Sequence, residues 1–366
     1  MAARNDRILF AFWGRRGAMS RFTLDLARTL RKMDLDATVS ISTGNELYDE
    51  IAAAGVPVLP VETFASALGA VTRFDRFLSL RHSLGQAIEH RGLKAVVMLM
   101  PHVWSPFLAP SIADRGARYA VIVHDGDPHP GDPTALATNW LLRDVRRADR
   151  VITLSRHVAD RLRNRLKLPS SQVTALFHPL VDYGQRPKDQ PPRRPLRVLF
   201  FGRVMPYKGL PLLVEAAEIL RERGIPIALG VVGEGDLGSL APRLARLGAE
   251  VENRWVAHDE IPTILAGYDV MALPYVEASQ SGAASAALGF GMPMVATPVG
   301  GLKEQVDPGR TGVLAEAATA EALAEALARL VQDEALYVRL AEGVTAARES
   351  LSMRRFITSL TDVVLS

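Results

Sequence analysis

Short apolar runs recur along this chain with a helix-length amphipathic stretch between one and the next, and that alternation leaves few folds open. Residues 7–13, 37–42, 56–61, 95–100, 119–124 and 150–154 are rich in Val, Ile, Leu, Phe and Ala and read as buried strands. Helical patterns lie between them at 77–92, 138–148 and 157–166, and a helix after the first strand has Phe22, Leu24, Leu26, Ala27 and Leu30 on one buried face. Strands and helices in alternation build a parallel sheet covered by helices. The pattern restarts at 196–201 and continues through strands at 227–232, 250–256, 270–273 and 294–297, with helices at 212–222 and 260–266. Between the two series, residues 183–195 carry four prolines and five charges without an apolar period and read as a linker. A length of 366 residues suits two domains of ordinary size.

Composition narrows the class further. Apolar residues make up 48% of the chain, enough for a sizeable core in each half. With no cysteine there are no disulfides, no thiolate metal site and no cysteine nucleophile, and the cytoplasm is the expected location. The apolar run near the start is interrupted at Gly14, Arg15 and Arg16, too early for a signal-peptide core or a membrane span. Residues 1–190 hold 26 Lys/Arg against 19 Asp/Glu, and the remainder 17 against 21. The basic half is either a solvated arginine-rich surface or one that rests on the inner face of an anionic membrane; no nucleic-acid partner is expected.

The candidate chemistry collects at strand ends. After the strand at 196–201, Gly202 allows a close bend, and Arg203 and Lys208 project two positive charges before the next helix. Ligands of open α/β sheets bind at the carboxyl ends of strands, and arginine and lysine suit phosphate oxygens. The turn is therefore either an anion site, for a diphosphate above all, or a solvated basic loop. Gly14 and Gly17 follow the first strand and can bring backbone N–H groups to a phosphate or sugar hydroxyl at a helix start. The fifth strand ends in VIVHDGDPHPGD, where His124, Asp125, Asp127, His129 and Asp132 share a proline-stiffened loop. His124 is placed to donate a hydrogen bond or exchange a proton; a divalent metal site and a structural histidine are the rival readings. The strand at 227–232 ends in Gly233-Glu234-Gly235-Asp236, and Trp255 in Asn253-Arg254-Trp255 either stacks on a base or fills core.

In order, FGRVMPYKG, VGEGD, the NRWVAHDEIPTILAGYDVMALPY block, SQSG, GFGMPMVATPVGGLKE and GRTGVL resemble the retaining glycosyltransferases of family four. The likeness is close over the second half and looser over the first, where the first glycine loop, HDGDPHPG and RRADRVITLS carry it. It implies an α/β protein of GT-B type, two Rossmann-like doubly wound domains facing across a cleft. Residues 1–182 would form the acceptor-side domain, 183–195 the linker and 196–350 the nucleotide-sugar domain, with 351–366 a helix crossing back to the first domain. The implied reaction moves a sugar from a nucleotide diphosphate donor to an acceptor hydroxyl on a glycan, lipid-linked sugar or small molecule. Configuration is retained, and no metal or cofactor is needed beyond the co-substrate. Arg203 and Lys208 would hold the diphosphate, the departing phosphate would take the acceptor proton, and His124 would lie near the reacting sugar. Gly202, Gly233, Glu234, Gly235, Arg254 and Trp255 complete the implied donor contacts, and Glu304 matches a family position.

One departure stands out. Members of that family commonly carry two glutamates eight positions apart before the small-residue run, and alignment on GFGMP places Ala278 and Ala286 there. Glu277 is one residue from the first position. A subset of the family has an S/T-Q-S-G string here, and Ser279-Gln280-Ser281-Gly282 is similar to it. Gln280, Ser281, Gly282 and Ala283 are then candidates for donor contacts at a helix start; small residues for helix–sheet packing explain the alanines equally. Two functional classes follow, a glycosyltransferase for polysaccharide, glycolipid or natural-product assembly, or a nucleotide-sugar or sugar-phosphate binding protein without turnover. A nicotinamide-dependent oxidoreductase is disfavoured, because neither first strand leads into G-x-G-x-x-G.

Overall fold

The structure, a computed structural model, describes residues 7–64, 73–126, 135–186 and 192–366. The chain divides into two compact units: the first ends at Phe177, the second runs from His178 to Ser352, and Met353–Ser366 returns to the first.

The first unit is built on β1 (Ile8–Phe12), β2 (Ala37–Ser42), β3 (Val58–Val61), β4 (Ala95–Met98), β5 (Arg118–Val123), β6 (Arg150–Thr153) and β7 (Val173–Ala175). They form one sheet of order β3-β2-β1-β4-β5-β6-β7, every pair parallel. Helices α1 (Ala18–Met33), α2 (Tyr48–Ala52), α3 (Phe74–Arg91), α4 (Ser105–Ala113), α5 (Ala135–Arg147) and α6 (Arg156–Leu166) connect them. Alternate residues of β1 point to opposite faces, so Leu9 and Ala11 join one core layer while Ile8, Phe10 and Phe12 join the other. Helix α4 is a finding beyond the sequence reading: Pro106 lies in its first turn and Pro110 inside it. Prolines read as helix breakers, yet Pro106 occupies a position whose N–H has no helical partner anyway.

The second unit contains β8 (Leu196–Phe201), α7 (Leu210–Glu222), β9 (Ile227–Val232), α8 (Ala241–Leu247), β10 (Glu250–Glu252), α9 (Ile261–Ala266) and β11 (Val270–Leu273). It continues through α10 (Gly282–Phe290), β12 (Met294–Ala296), α11 (Leu302–Gln305), β13 (Gly312–Leu314), α12 (Ala320–Gln332) and α13 (Glu334–Ala347). Its sheet is parallel and ordered β10-β9-β8-β11-β12-β13. Both sheets thus have the doubly wound, Rossmann-like order, reversing between the first strand and the fourth of each series. Several expected strands are shorter than the runs read for them; among these, 56–61 starts after Pro57, 95–100 stops before Pro101, and 250–256 stops at Glu252. The last is an exposed edge strand, so no burial extends it, and side-chain bonds of Asn253 and Arg254 turn the chain away.

The final helix α14 (Met353–Leu365) packs its apolar face on α1, with Phe356 edge-on to Phe22 and Phe177 at ring separations of 5.7 and 5.9 Å. Arg118 donates to the Val364 carbonyl (3.0 Å) and Arg150 to that of Val363 (3.3 Å). Two arginines thereby satisfy carbonyls that a helix end leaves without partners. Among the described residues no helix is long and apolar enough to cross a membrane.

A buried acid in the first unit sets a pH dependence. The Tyr119 hydroxyl on β5 lies 2.8 Å from both carboxylate oxygens of Asp144 on α5, and burial pushes the Asp144 pKa up to about 7, with Tyr119, Arg147 and Ser105 opposing. Because the folded value exceeds the unfolded one, the stability contribution is complete below about pH 4 and is lost as pH rises through about 7. Urea titrations at pH 5 and pH 8 are therefore expected to show the parent weaker at pH 8. Asp144→Asn, which keeps an acceptor for Tyr119, is expected to shrink that difference; a difference unchanged from the parent would remove Asp144 as its source.

Candidate active site

The second unit's sheet order reverses between β8 and β11, and the chain leaving each strand supplies one wall of a common site. Residue Gly202, just past β8, has φ 110°, in the region that disfavours side chains, and a Cβ there would lie 2.8 Å from Lys208 Nζ. Glycine at this point lets the lysine ammonium rest against the backbone at the strand end. The same ammonium lies over the Tyr275 ring, 5.3 Å from its centre, and Tyr275 is the second residue after β11. A Cβ at Gly209 (φ 66°) would run into the Pro274 carbonyl, so this turn also approaches β11 through a glycine. The backbone pairing of Val276 N–H with the Tyr207 carbonyl, 2.8 Å, joins the two segments.

Helix α10 starts from the same place. Ser281 is its N-cap and accepts from the Ala284 N–H at 3.2 Å, as a serine at this position should. The Tyr275 hydroxyl lies 2.9 Å from Ser281 Oγ, so Lys208, Tyr275 and the start of α10 are one connected group. Arg203 is exposed on the same turn as Lys208, and among the described residues neither has a carboxylate partner. Gly282, the first residue of α10, is exposed, whereas Ala278 (1%), Ala283 (7%) and Ala286 (3%) are buried in the core beneath. Alanine at 278 and 286 is thus packing material, and no side-chain acceptor comes from either place. Glu277 and Gln280 are half-buried on the segment entering the helix.

The β9 end forms the next wall. Gly202 N–H donates to the Val232 carbonyl at 2.9 Å and Val204 N–H to that of Glu234 at 2.8 Å, so the Gly233-Glu234-Gly235 loop runs alongside the cationic turn. Asn253 clamps Gly235, accepting from its N–H (3.0 Å) and donating to its carbonyl (2.9 Å). Arg254 is held by Glu252 (2.7 Å) and Glu260 (2.8 Å), so its charge is already balanced. Trp255 is 41% exposed, which removes the core-filling reading.

In the first unit the expected site residues follow β1 and β5. Gly14 and Gly17 lie between β1 and α1, and the Gly17 N–H donates to Glu46 at 2.7 Å. A side-chain carboxylate therefore already occupies a helix-start N–H expected to meet a ligand. Asn45 donates to the Gly14 carbonyl (2.8 Å) and to Ser20 (3.0 Å), fixing the loop. His124 is buried just past β5, its Nε2 2.9 Å from the Leu99 carbonyl. Burial lowers its pKa, with the Leu99 carbonyl and Asp125 opposing. His102 was not singled out by sequence: it follows β4 at this sheet's reversal, edge-on to Trp13 at 5.5 Å, and burial lowers its pKa to about 4. Of the loop acids and histidines, Asp127, His129 and Asp132 lie outside the described residues. Among the described residues no three His, Cys, Asp or Glu side chains group as a metal site would need.

Two family models match the chain. Residues 17–176 match the family described as glycosyl transferase 4-like domain, and residues 195–333 the one described as glycosyl transferases group 1. An alpha-D-kanosaminyltransferase of Streptomyces kanamyceticus is 27% identical over 239 residues, 60% of this chain and 61% of that protein. A D-inositol 3-phosphate glycosyltransferase of Salinispora tropica is 32% identical over 185 residues, 47% of this chain and 38% of the relative. The chain thus spans less than two thirds of the length of these relatives. A glycosyltransferase from Rickettsia africae shares the fold at TM-score 0.72 and 16% identity, over 98% of each chain. Anabaena Alr3699/HepE, solved in complex with UDP, shares it at TM-score 0.72 and 16% identity, over 97% of this chain and 99% of that one.

Proposed function

We propose that this chain, which belongs through residues 17–176 to the glycosyl transferase 4-like family and through residues 195–333 to the glycosyl transferases of group 1, moves a sugar from a nucleotide diphosphate sugar to an acceptor hydroxyl. The observation that carries the reading is the Lys208 ammonium: it lies against Gly202 and over Tyr275, without a carboxylate partner among the described residues. It shares a strand-order reversal with the exposed start of α10. Two unbalanced cations and a helix start are a site for a dianion, and the fold relative HepE is solved in complex with UDP.

In this reading Lys208, Arg203 and the N–H groups at the start of α10 hold the donor diphosphate. The bond from the anomeric carbon to the phosphate oxygen breaks, and a bond from that carbon to the acceptor oxygen forms. The acceptor proton passes to the departing phosphate, so configuration is retained and nucleoside diphosphate leaves. The cations and N–H groups stabilise the charge that grows on the diphosphate as it departs. His124 is assigned to contact with the transferred sugar. The step needs neither a protein nucleophile nor a divalent ion. Acceptors of the class expected are hydroxyls on a glycan, a lipid-linked sugar or a small molecule, with the protein cytoplasmic or at the inner membrane face.

A second reading has one observation in its favour, the burial of Ala278 and Ala286 where the resemblance places two acidic side chains. It makes the chain a nucleotide-sugar binder without turnover. A thermal-shift screen with UDP, GDP, ADP and their sugar derivatives tests both, since a ligand at about 100 times its Kd stabilises the fold by about 2.7 kcal/mol. The expected result is a raised Tm with one nucleotide class, followed by release of that nucleotide when its sugar form is supplied with acceptors. A raised Tm without release over a broad acceptor panel supports the binder; no shift with any nucleotide overturns both readings.

A further inference from the structure

Gln305, on α11, reaches both main-chain groups of Ser281. The Ser281 N–H donates to Gln305 Oε1 at 2.6 Å, and Gln305 Nε2 donates to the Ser281 carbonyl at 3.0 Å and lies 3.4 Å from Ser285 Oγ. The Ser281 carbonyl and the Gly282 N–H belong to one planar peptide unit and point to opposite sides of it. Holding that carbonyl therefore aims the Gly282 N–H.

At the start of α10 the Ala284 N–H goes to Ser281 Oγ and the Ser285 N–H to the Ser281 carbonyl. The N–H groups of Gly282 and Ala283 have no acceptor among the described residues. Tyr275 fixes the Ser281 side chain from one side, and Gln305 fixes its backbone from the other. Neither Ala278 nor Ala286 supplies a polar group here, so the amide that organises this helix start comes from a different element.

We propose that Gln305 is a positioning residue for the donor diphosphate: by gripping Ser281 through both main-chain groups it sets the direction of the Gly282 N–H toward a phosphoryl oxygen. This rests on the donor-site reading above. It differs from a merely structural role in what it predicts, because the grip affects the phosphate end of a ligand and leaves the nucleoside end alone.

The test is calorimetric titration of the full chain with UDP, GDP and ADP, and with uridine, guanosine and adenosine as phosphate-free probes, for the parent, Gln305→Ala, Gln305→Glu and Lys208→Ala. Gln305→Ala is expected to weaken the bound diphosphate about tenfold while the matching nucleoside binds as in the parent. Gln305→Glu keeps an acceptor for the Ser281 N–H but loses the donor to the Ser281 carbonyl, and is expected to lose at least as much; it also serves should the alanine variant fail to fold. Diphosphate affinity within twofold of the parent in Gln305→Glu, or equal loss for diphosphate and nucleoside, overturns the inference. Should Lys208→Ala weaken diphosphate binding while the Gln305 variants do not, the donor site stands and the role of Gln305 falls. A parent that binds none of UDP, GDP and ADP overturns the donor site and this inference together.

Discussion

Turnover of the donor by Lys208→Ala is expected to be about 10²-fold or more below that of the parent, the loss typical of removing one preorganised group that stabilises a leaving charge. Lys208 is half-buried between Gly202 and the Tyr275 ring. An ammonium held there keeps its direction as charge builds on the departing diphosphate, whereas a mobile surface lysine would be screened by water. Steady-state kinetics should show the loss in kcat as well as in kcat/KM, because the developing charge exceeds that of the bound donor. Among the described residues exposed Arg203 has no fixing contact, and it serves as the internal comparison, with Arg203→Ala expected to lose less. A Lys208→Ala enzyme turning over near the parental rate would take the lysine out of the mechanism.

The largest stability effect is expected at Asp269, where alanine should cost about 3–5 kcal/mol, the usual result of removing one partner from a buried ion pair. Asp269 is fully buried just before β11, and its carboxylate accepts from Arg186 (2.8 Å), the Arg193 guanidinium (3.1 Å) and the backbone N–H of Arg193 (3.2 Å) and Arg197 (2.9 Å). Arg186 also donates to the Tyr268 carbonyl and stacks on Tyr337, so its charge would stay buried without a counter-ion. Chemical denaturation should show the loss as a lower midpoint at unchanged slope. Asp269→Asn, which preserves acceptors but not the charge, should fall between the two. A Tm for Asp269→Ala within 2 °C of the parent, which corresponds to about 1 kcal/mol or less at this size, would mean that the arginines find water instead.

Legibility from sequence followed burial. The strands at 196–201, 227–232 and 270–273 have the bounds read from their apolar runs, because they lie inside the sheet and are covered on both faces. The edge strand β10 is shorter than the run at 250–256 because at an edge, side-chain bonds such as those of Asn253 compete with the ladder. Helix α4 is not legible in the sequence because Pro106 and Pro110 look like breaks in one dimension. At the site, the charges of Arg203 and Lys208 and the glycine between them and β8 are all contiguous in sequence, so their use could be read. The Gln305 grip on Ser281 and the Glu46 carboxylate on Gly17 join residues from different crossovers, the Tyr275 contact with Ser281 closes a loop of one crossover, and no spacing rule announces any of them.

The chain's own order of residues was enough to set two doubly wound sheets and the cationic turn at the end of β8, since period, burial and a glycine bend are local properties that each segment carries wherever it packs. Tertiary structure alone decided which of the available N–H groups and cations remain open to a ligand. That depends on which side chains from distant elements have already claimed the others: Glu46 at the first helix start, Gln305 and Ser281 at the second, and the paired carboxylates beside Arg254.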